Sequence, residues 1–379
     1  MPQLRRKTEI MYNFWFAVEN PASLSSLKKG IARPEVNATW YPATPRQSRP
    51  FNNLTTALSQ AARNGRVDAL FYESNRQPMP PAALIRRRPT LLSLEAISSF
   101  PENLPKELAK ITPAGLVVGS EWAKTQLVNH LKIAPSRILV THTGLDLANW
   151  DEALQAFERA RANKTGLPER VRLLFVGDDF VGLGGTLLLD LLKNKPRLAE
   201  SCELHLVVNR RTAATYLASA LLPNYVHVHS YIYPQNEPTE LYLKADICVL
   251  PSYKPVSPAL VAKAMAACLP IIATNIGGLP EMVRDGQSGL LIEPGDQSGL
   301  VLALQTLVED PARRYALGEG ARRIAEAEFD AATNAHKILT FMKQITAEAR
   351  SNHTFAASSN FSQLAVANIP PDTYPNVEE

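Results

Sequence analysis

Cysteine is scarce in this sequence, and long apolar runs are absent. The 379 residues include only three cysteines, without paired spacing, which argues against a disulfide framework and favours a reducing compartment. No stretch approaches the roughly 18 consecutive apolar residues of a membrane span. The first 18 residues combine a charged start with a short aromatic stretch, which is typical of a first strand rather than a secretory signal. We therefore expect a cytoplasmic protein.

Net charge is low as well. Lys and Arg number 40 against 36 Asp and Glu, which leaves +4, too little to indicate a nucleic-acid partner. Basic clusters occur at 5–7 (RRK) and 86–88 (RRR). They are either solvated surface or contacts for an anionic partner, such as a phosphate or a lipid head group. Peripheral contact with a membrane therefore stays open as an alternative.

Motifs for metals and dinucleotides are also missing. The histidines and cysteines show no zinc-type spacing. His227 and His229 alternate in VHVHS, so a strand would place both on one face, but two histidines without a third ligand are more often ordinary surface or core residues. No strand is followed by G-x-G-x-x-G, which argues against a dinucleotide-dependent oxidoreductase. We expect no metal and no cofactor.

What the sequence does contain is a regular α/β rhythm. The chain length favours two domains. From about residue 170, near-continuous apolar strands such as RLLFVGDD and DICVLPS alternate with helices, which is typical of a parallel sheet covered on both faces. The first 150 residues are less regular, with strands predicted at 10–18, 67–73 and 90–96 and a helix at 22–31. The segment from Ser351 onward is polar and Pro-rich, which predicts a flexible tail.

Several segments in order resemble a known family. These are GLVVGSEWAKTQLVNHL, RLLFVGDDFVGLGG, and the run ADICVLPSYKPVSPALVAKAMAACLPIIATNIGGLPEMVRDGQSGLLIEPGD. Residues 115–345 resemble the C-terminal two-thirds of a GT-B retaining glycosyltransferase of the family 4 type (glycosyl transferases group 1). The resemblance implies an α/β fold with two Rossmann-like domains facing a cleft. It places an acceptor-side domain at 1–150, a nucleotide-sugar domain at 151–330, a crossover helix back to the first domain at 331–350, and a tail at 351–379.

The donor-site motifs of that family are altered in this sequence. The resemblance implies an Arg and a Lys, which stabilise the leaving diphosphate, just before a Gly-Gly pair. Gly182 and Leu183 stand in those two places, and Asp178 adds an unusual negative charge. The family also has two glutamates eight residues apart, one near the sugar and one on the ribose, and these places hold Pro255 and Lys263.

Other residues of the expected donor site match the family, and some basic residues could replace the missing Arg and Lys. Glycines allow a ligand to approach the backbone closely, and a helix start offers N–H groups to an anion. Basic side chains are either solvated or supply the missing phosphate contacts. The donor-binding candidates are Gly184, Gly185, Arg210, Arg211, Lys263, Gly277, Gly278, Leu279 and Glu281, with Lys254 beside them. A mid-helix ammonium at Lys263 must reach water, a carboxylate such as Glu281, or a ligand.

Two functions remain open. The first is a glycosyltransferase that transfers a sugar from a nucleotide-diphosphate sugar to a saccharide or lipid-linked acceptor, in polysaccharide or glycoconjugate biosynthesis. The alternative is a catalytically inactive glycosyltransferase-like protein that acts as a binding or scaffolding partner of a homologous glycosyltransferase. Residues 1–129 contain no histidine, so no acid–base histidine is available from that region.

Overall fold

The computed structural model describes residues 12–18, 27–28, 31–42, 67–73, 88–94, 104, 108, 113–142, 144–162, 170–217, 222–231 and 240–351. These residues form two compact units. The first unit contains the described residues up to Val118, residues 124–142 and the chain from Ala331. The second contains Gly119–Ala123 and Gly144–Asp330. The predicted tail lies outside the described residues except for Ser351.

Among the described residues, the first unit is built on a six-stranded parallel sheet. Its strands are β1 Tyr12–Val18, β2 Val36–Pro42, β3 Ala69–Glu73, β4 Thr90–Ser93, β5 Gly115–Val118 and β6 Ile138–Val140. Their order is β2-β1-β3-β4-β5-β6. The sequence patterns predicted β1, β3 and β4, but not β2. This strand pairs only with β1 in the described sheet and carries Asn and Pro, residues that are depleted in strands.

The C-terminal helix covers this first sheet. The helix spans Ala331–Ser351, and its apolar residues recur at helical spacing, so that one face is buried. That face joins one core cluster with strand residues such as Phe14 and Leu91; its members include Ala335, Ile338, Leu339, Met342 and Ile345. At its rim, Lys343 Nζ lies 2.8 Å from a carboxylate oxygen of Glu35.

The described part of the second unit is built on another six-stranded parallel sheet. Its strands are β7 Val171–Val176, β8 Cys202–Asn209, β9 Val226–Tyr231, β10 Ile247–Leu250, β11 Ile271–Thr274 and β12 Gly289–Ile292, in the order β12-β11-β10-β7-β8-β9.

The α-helices are numbered through both units. In chain order the described α-helices are α1 Glu121–Leu131, α2 Leu147–Ala162, α3 Gly185–Lys193, α4 Pro196–Glu200, α5 Arg210–Thr212, α6 Glu240–Lys244, α7 Pro258–Ala266, α8 Leu279–Met282, α9 Gln297–Glu309, α10 Pro311–Glu328 and α11 Ala331–Ser351.

Both faces of the second sheet are covered, as the apolar strands predicted. Successive side chains of a strand point to opposite faces. Leu173 and Phe175 of β7 accordingly join one core cluster, whereas Leu174 and Val176 join the other. Near-continuous burial of this kind is expected for a parallel sheet between two helical layers. None of the helices among the described residues is long and apolar enough to cross a membrane.

Candidate functional site

The candidate donor residues of the second unit lie in the loops that follow its strands and in the helices that these loops lead into. Because the strands are parallel, their carboxyl ends meet at one edge of the sheet, where ligands of open α/β sheets bind. Four loops matter here: those after β7, β8, β10 and β11. Each carries some of the residues that the sequence singled out.

The Gly-Gly pair after β7 is required by packing. Gly184 has a φ of +79°, and a Cβ there would lie 2.0 Å from the carbonyl oxygen of Pro251. A Cβ at Gly185 would lie 2.4 Å from the ring of Phe180. Neither position accepts a side chain without a shift of its neighbours. The two glycines therefore join the β7 loop to the β10 loop and to the core.

The amide groups of the same loop are already used inside the protein. Leu183 donates to the carbonyl of Asp179 at 2.9 Å, Gly184 to that of Val181 at 2.9 Å, and Gly185 to that of Phe180 at 2.7 Å. The amide of Gly182 donates to the carboxylate of Asp179 at 2.9 Å. In this conformation, a phosphate beside residues 182–185 must find its donors on side chains.

Leu183 serves the core at the place where the family has a lysine. It is half-buried and packs against both core clusters of the second unit. A Cβ at Gly177 would lie 2.3 Å from Leu183 Cδ1, which shows how closely the side chain lies on the end of β7. Leu183 thus connects the two helical layers and contributes no charge to the sheet edge.

Lys254 brings a cation to this place from another loop. Its ammonium forms an ion pair with the carboxylate of Asp179. A Cβ at Gly182 would lie 2.5 Å from Asp179 Oδ2 and 2.7 Å from Lys254 Cε, so the lysine side chain passes directly beside Gly182. Desolvation lowers the pKa of Lys254. The loop is held there because the amide of Tyr253 donates to the carbonyl of Gly182 at 3.0 Å.

Asp178 has a structural role that the sequence did not reveal. Its Oδ1 accepts a hydrogen bond from Tyr231 Oη at 2.6 Å and another from the amide of Asn209 at 3.0 Å. These partners lie at the ends of β9 and β8. The expected negative charge of Asp178 is thus engaged in tying three strand ends together, and no local motif in the sequence pointed to Tyr231 or Asn209.

Arg210 and Arg211 begin the short helix α5, directly after β8. Asn209 caps this helix, because its side-chain oxygen accepts from the amide of Thr212 at 2.8 Å. Both arginines are exposed, and neither forms an ion pair with another residue that the structure describes. They are two cations on the predicted ligand side of the sheet.

Lys263 contacts an aromatic ring, a partner that the sequence prediction did not include. Its Nζ lies 6.0 Å from the ring centroid of Tyr242, within the range of a cation–π interaction. Tyr242 is fully buried, and its ring meets that of Trp150 edge-on at 6.1 Å. The aromatic face thus offsets part of the cost of placing an ammonium in the middle of an apolar helix. Ser257 is at the N-cap of this helix, but its side chain makes no capping hydrogen bond.

The remaining candidates lie in the loop after β11. Gly277 has a φ of +57°, and a Cβ there would lie 2.9 Å from Pro255 Cγ, so Pro255 packs where the family has a glutamate. Gly278 is the N-cap of α8. The amide of Leu279 donates to the carbonyl of Ile276 at 3.1 Å, and it is therefore not available to an anion in this conformation.

Glu281 caps a helix. Its carboxylate accepts hydrogen bonds from the amides of Glu121 and Trp122, both at 2.7 Å. These amides open helix α1 within the segment Gly119–Ala123, which clusters with the second unit. A carboxylate at this position satisfies orphan donors and interacts favourably with the helix dipole. The sequence had suggested Glu281 as a partner for Lys263.

The fold is α/β and of the GT-B type, because solved structures of that type are similar to it. A glycosyltransferase of Rickettsia africae has a similar structure with a TM-score of 0.66, at 16% identity, over 88% of this chain and 98% of that one. Sucrose-phosphate synthase of Thermosynechococcus elongatus gives a TM-score of 0.67 at 18% identity, over 89% and 100%. HepE of Anabaena, solved in complex with UDP-glucose, gives 0.62 at 17%, over 90% and 100%.

The sequence places the second unit in a family. Residues 137–324 match the model of glycosyl transferases group 1, and through this region the chain belongs to that family. Among curated relatives, a D-inositol 3-phosphate glycosyltransferase of Corynebacterium kroppenstedtii is 30% identical over 217 residues, and one of Geodermatophilus obscurus is 32% identical over 232 residues. These matches cover 54% and 56% of this chain. The chain spans about half the length of these relatives, 48% in both cases.

Proposed function

We propose that this protein is a glycosyltransferase that transfers a sugar from a nucleotide-diphosphate sugar to an acceptor, in polysaccharide or glycoconjugate biosynthesis. The family match over residues 137–324 supports the reaction class. The observation that carries the proposal at the site is the position of Lys254, whose side chain passes 2.7 Å from where a Cβ of residue 182 would lie. A cation is thus present where the family's loop arginine is missing.

In this proposal Lys254 binds the diphosphate. A leaving diphosphate requires positive charge that is aimed at its oxygens. The amides of residues 182–185 are used internally, so side-chain cations must supply that charge. When a donor binds, the ammonium of Lys254 exchanges the carboxylate of Asp179 for phosphate oxygens. Arg210 and Arg211, which have no described ionic partner, add to the positive potential at the same edge of the sheet.

Direct binding measurements test this proposal. HepE was solved with UDP-glucose, so UDP-glucose is the first donor to titrate by calorimetry, followed by GDP- and ADP-sugars. D-Inositol 3-phosphate is the first acceptor to try, because the curated relatives are named for it. Binding of a nucleotide sugar with turnover supports the proposal. No binding of any of the three donor classes at millimolar concentration contradicts it.

The alternative of an inactive glycosyltransferase-like partner has one observation in its favour. Two of the replaced positions are committed to packing, Leu183 between the core clusters and Pro255 against Gly277. An inactive protein of this kind would bind a homologous glycosyltransferase, and co-purification from the native cell tests that interaction. Turnover by the unmodified protein excludes this alternative.

A lipid-linked acceptor would bring the protein to a membrane surface. The basic clusters at 5–7 and 86–88 are the candidates for that contact; of these residues only Arg88 lies in the described part of the chain. Flotation with vesicles that contain anionic lipids tests the idea, and vesicles of neutral lipid are the control. Equal recovery with both kinds of vesicle argues against an electrostatic membrane contact.

A further inference from the structure

Three histidines and a glutamate share one face of the second sheet. Glu203 and His205 lie on β8, and His227 and His229 lie on the neighbouring strand β9. The strands pair in parallel, with His205 directly opposite His227. Residues two apart on a strand point to the same face, so the four side chains meet on that face. The sequence alone shows two alternating histidines without a third ligand, and the pairing of β8 with β9 supplies the missing residues.

The potential ligand atoms of this group are close together. One such atom from each of Glu203, His205 and His227 lies within 4.8 Å of the other two. The carboxylate of Glu203 approaches His205 Nε2 to 3.8 Å, too far for a hydrogen bond. His205 Nε2 is buried and has no hydrogen-bond partner among the described residues. A buried polar atom without a partner is uncommon and calls for an explanation, such as an ion.

His229 holds the ring of His205 from the other side. His205 Nδ1 lies 3.0 Å from His229 Nε2, and the two ring planes differ by only 9°. When Nδ1 of His205 carries the proton, it donates a hydrogen bond to His229 Nε2. The other ring nitrogen of His205, Nε2, then keeps a lone pair that is free to bind an ion. In metal sites the second ring nitrogen of a histidine ligand is usually fixed by a hydrogen bond of this kind.

We propose that Glu203, His205 and His227 form a binding site for a divalent transition metal ion, with Zn²⁺ as the best match, and that solvent takes the fourth position. Two imidazoles and a carboxylate are a known tetrahedral zinc ligand set. Zn–N and Zn–O distances of about 2.0–2.2 Å require the three ligand atoms to draw together slightly from their present spacing. Glu203 and His227 are accessible to solvent, so their side chains have room to adjust.

The surrounding charges are compatible with this site but also oppose it in part. A histidine binds a metal through the lone pair of its neutral imidazole, and Glu203 adds a carboxylate to the same group. Arg172 is the competing cation, because its Nε lies 4.0 Å from Glu203 Oε2. A bound ion must therefore share the carboxylate with Arg172. Mg²⁺ and Ca²⁺ prefer all-oxygen ligands, so the histidines select against them.

The location suggests what the ion does. β9 is the last strand in the order of the described sheet, and the ligands come from β9 and its neighbour β8. A bound ion would connect these two strands on the face opposite to α3, at positions that precede the carboxyl edge of the sheet. The ligands lie on the strands themselves, whereas the candidate donor residues follow the strand ends, so the proposal does not depend on glycosyl transfer.

The test begins with the full chain freed of metal by dialysis against a chelator. Zn²⁺ is then titrated in competition with a chromophoric chelator. We expect one equivalent to bind and to raise the melting temperature, whereas MgCl₂ at the same concentration leaves it unchanged. Co²⁺ in place of Zn²⁺ should give the visible absorption of a tetrahedral site, a readout that needs no variant.

Variants assign the ligands. Glu203→Gln and His227→Gln should each weaken Zn²⁺ binding at least tenfold, and His229→Gln about 10- to 100-fold, as for other residues that orient a ligand. His336→Gln is the matched control, because it removes an exposed imidazole from α11 in the other unit; its affinity should equal that of the wild type. Circular dichroism checks folding. Absence of a one-equivalent site in the wild type overturns the proposal, as does equal affinity in Glu203→Gln, His227→Gln and the control.

Discussion

The ion pair between Lys254 and Asp179 allows a test in which two substitutions have opposite effects on donor binding. Lys254→Met removes the ammonium, whereas Asp179→Asn removes the carboxylate charge that competes for it. The asparagine keeps a side-chain oxygen that accepts from the amide of Gly182, a bond that measures 2.9 Å in the wild type. We expect Lys254→Met to weaken nucleotide-sugar binding and Asp179→Asn to strengthen it.

The structure sets the magnitudes. The side chains of Lys254 and Asp179 are 36% and 47% exposed, and exposed ion pairs contribute about 0–1 kcal/mol to the free energy of unfolding. Neither variant should therefore unfold the protein. A hydrogen bond to a charged group contributes about 1.5–3 kcal/mol. Since about 1.4 kcal/mol is a tenfold change in Kd, loss of Lys254 should raise the Kd about 10- to 150-fold.

Calorimetric titration with UDP-glucose is the assay, and chemical denaturation confirms that stability is unchanged. Lys244→Met is the matched control, because Lys244 forms an exposed pair of the same kind with Glu240, at 3.0 Å, in the helix before β10. An unchanged Kd in Lys254→Met refutes the role of this lysine. Weaker binding in Asp179→Asn refutes the exchange of partners.

Three further predictions concern the elements that support the site, and urea unfolding monitored by circular dichroism measures each. Gly184→Ala should lower the free energy of unfolding by at least about 2 kcal/mol. The left-handed backbone costs an alanine about 1–2 kcal/mol, and the added Cβ overlaps the carbonyl of Pro251. An unchanged urea midpoint would contradict this packing. Tyr231→Phe removes the 2.6 Å hydrogen bond to Asp178 and should lower the free energy of unfolding by about 1.5–3 kcal/mol. A decrease below about 0.5 kcal/mol would mean that water replaces the hydroxyl. Leu339→Ala creates a cavity under α11 and should lower the free energy of unfolding by about 2–5 kcal/mol. An unchanged free energy of unfolding would mean that the helix does not pack on the first sheet.

The sequence predicted the second sheet well because its strands are buried on both faces. Runs such as DICVLPS and PIIAT contain few polar residues, and this local signal is sufficient to locate β10 and β11. Helix α2 was missed for the opposite reason. Leu147 and Trp150 are its only buried residues over 147–155, so it lacks the apolar periodicity that identifies a helix.

The candidate site was harder to predict, because its contacts join residues that are distant in sequence. Lys254 and Asp179 are 75 positions apart, and Tyr231 and Asp178 are 53 apart. Each of these residues lies in a loop or at a strand end, where local patterns carry no information on partners. The cluster of histidines illustrates the same limit, since His205 meets His227 only through the register of β8 and β9.

The choice between an active enzyme and an inactive partner rests on the replaced positions, and the structure shows which of them to restore first. Leu183→Lys would place an ammonium between two core clusters, so a variant that includes it risks losing stability, and its failure to bind would be uninformative. Pro255→Glu and Lys263→Glu change residues on the β10 loop and on α7 instead, and circular dichroism checks that loss of the contact between Pro255 and Gly277 leaves the protein folded. If the wild type is an inactive partner, this double variant should gain binding of UDP-glucose, and adding Gly182→Arg should strengthen it.

If the wild type instead binds its donor through Lys254, the same double variant starts from measurable affinity, and Lys254→Met in that background should reduce it. The resemblance implies that the glutamates hold the ribose and the sugar, whereas Lys254 is proposed to hold the phosphates, so the substitutions act on different parts of the donor. Calorimetry on the wild type, on the double variant and on the double variant with Lys254→Met therefore separates the two functions. Binding in the double variant that is insensitive to Lys254→Met would mean that another cation, such as Arg210, neutralises the diphosphate.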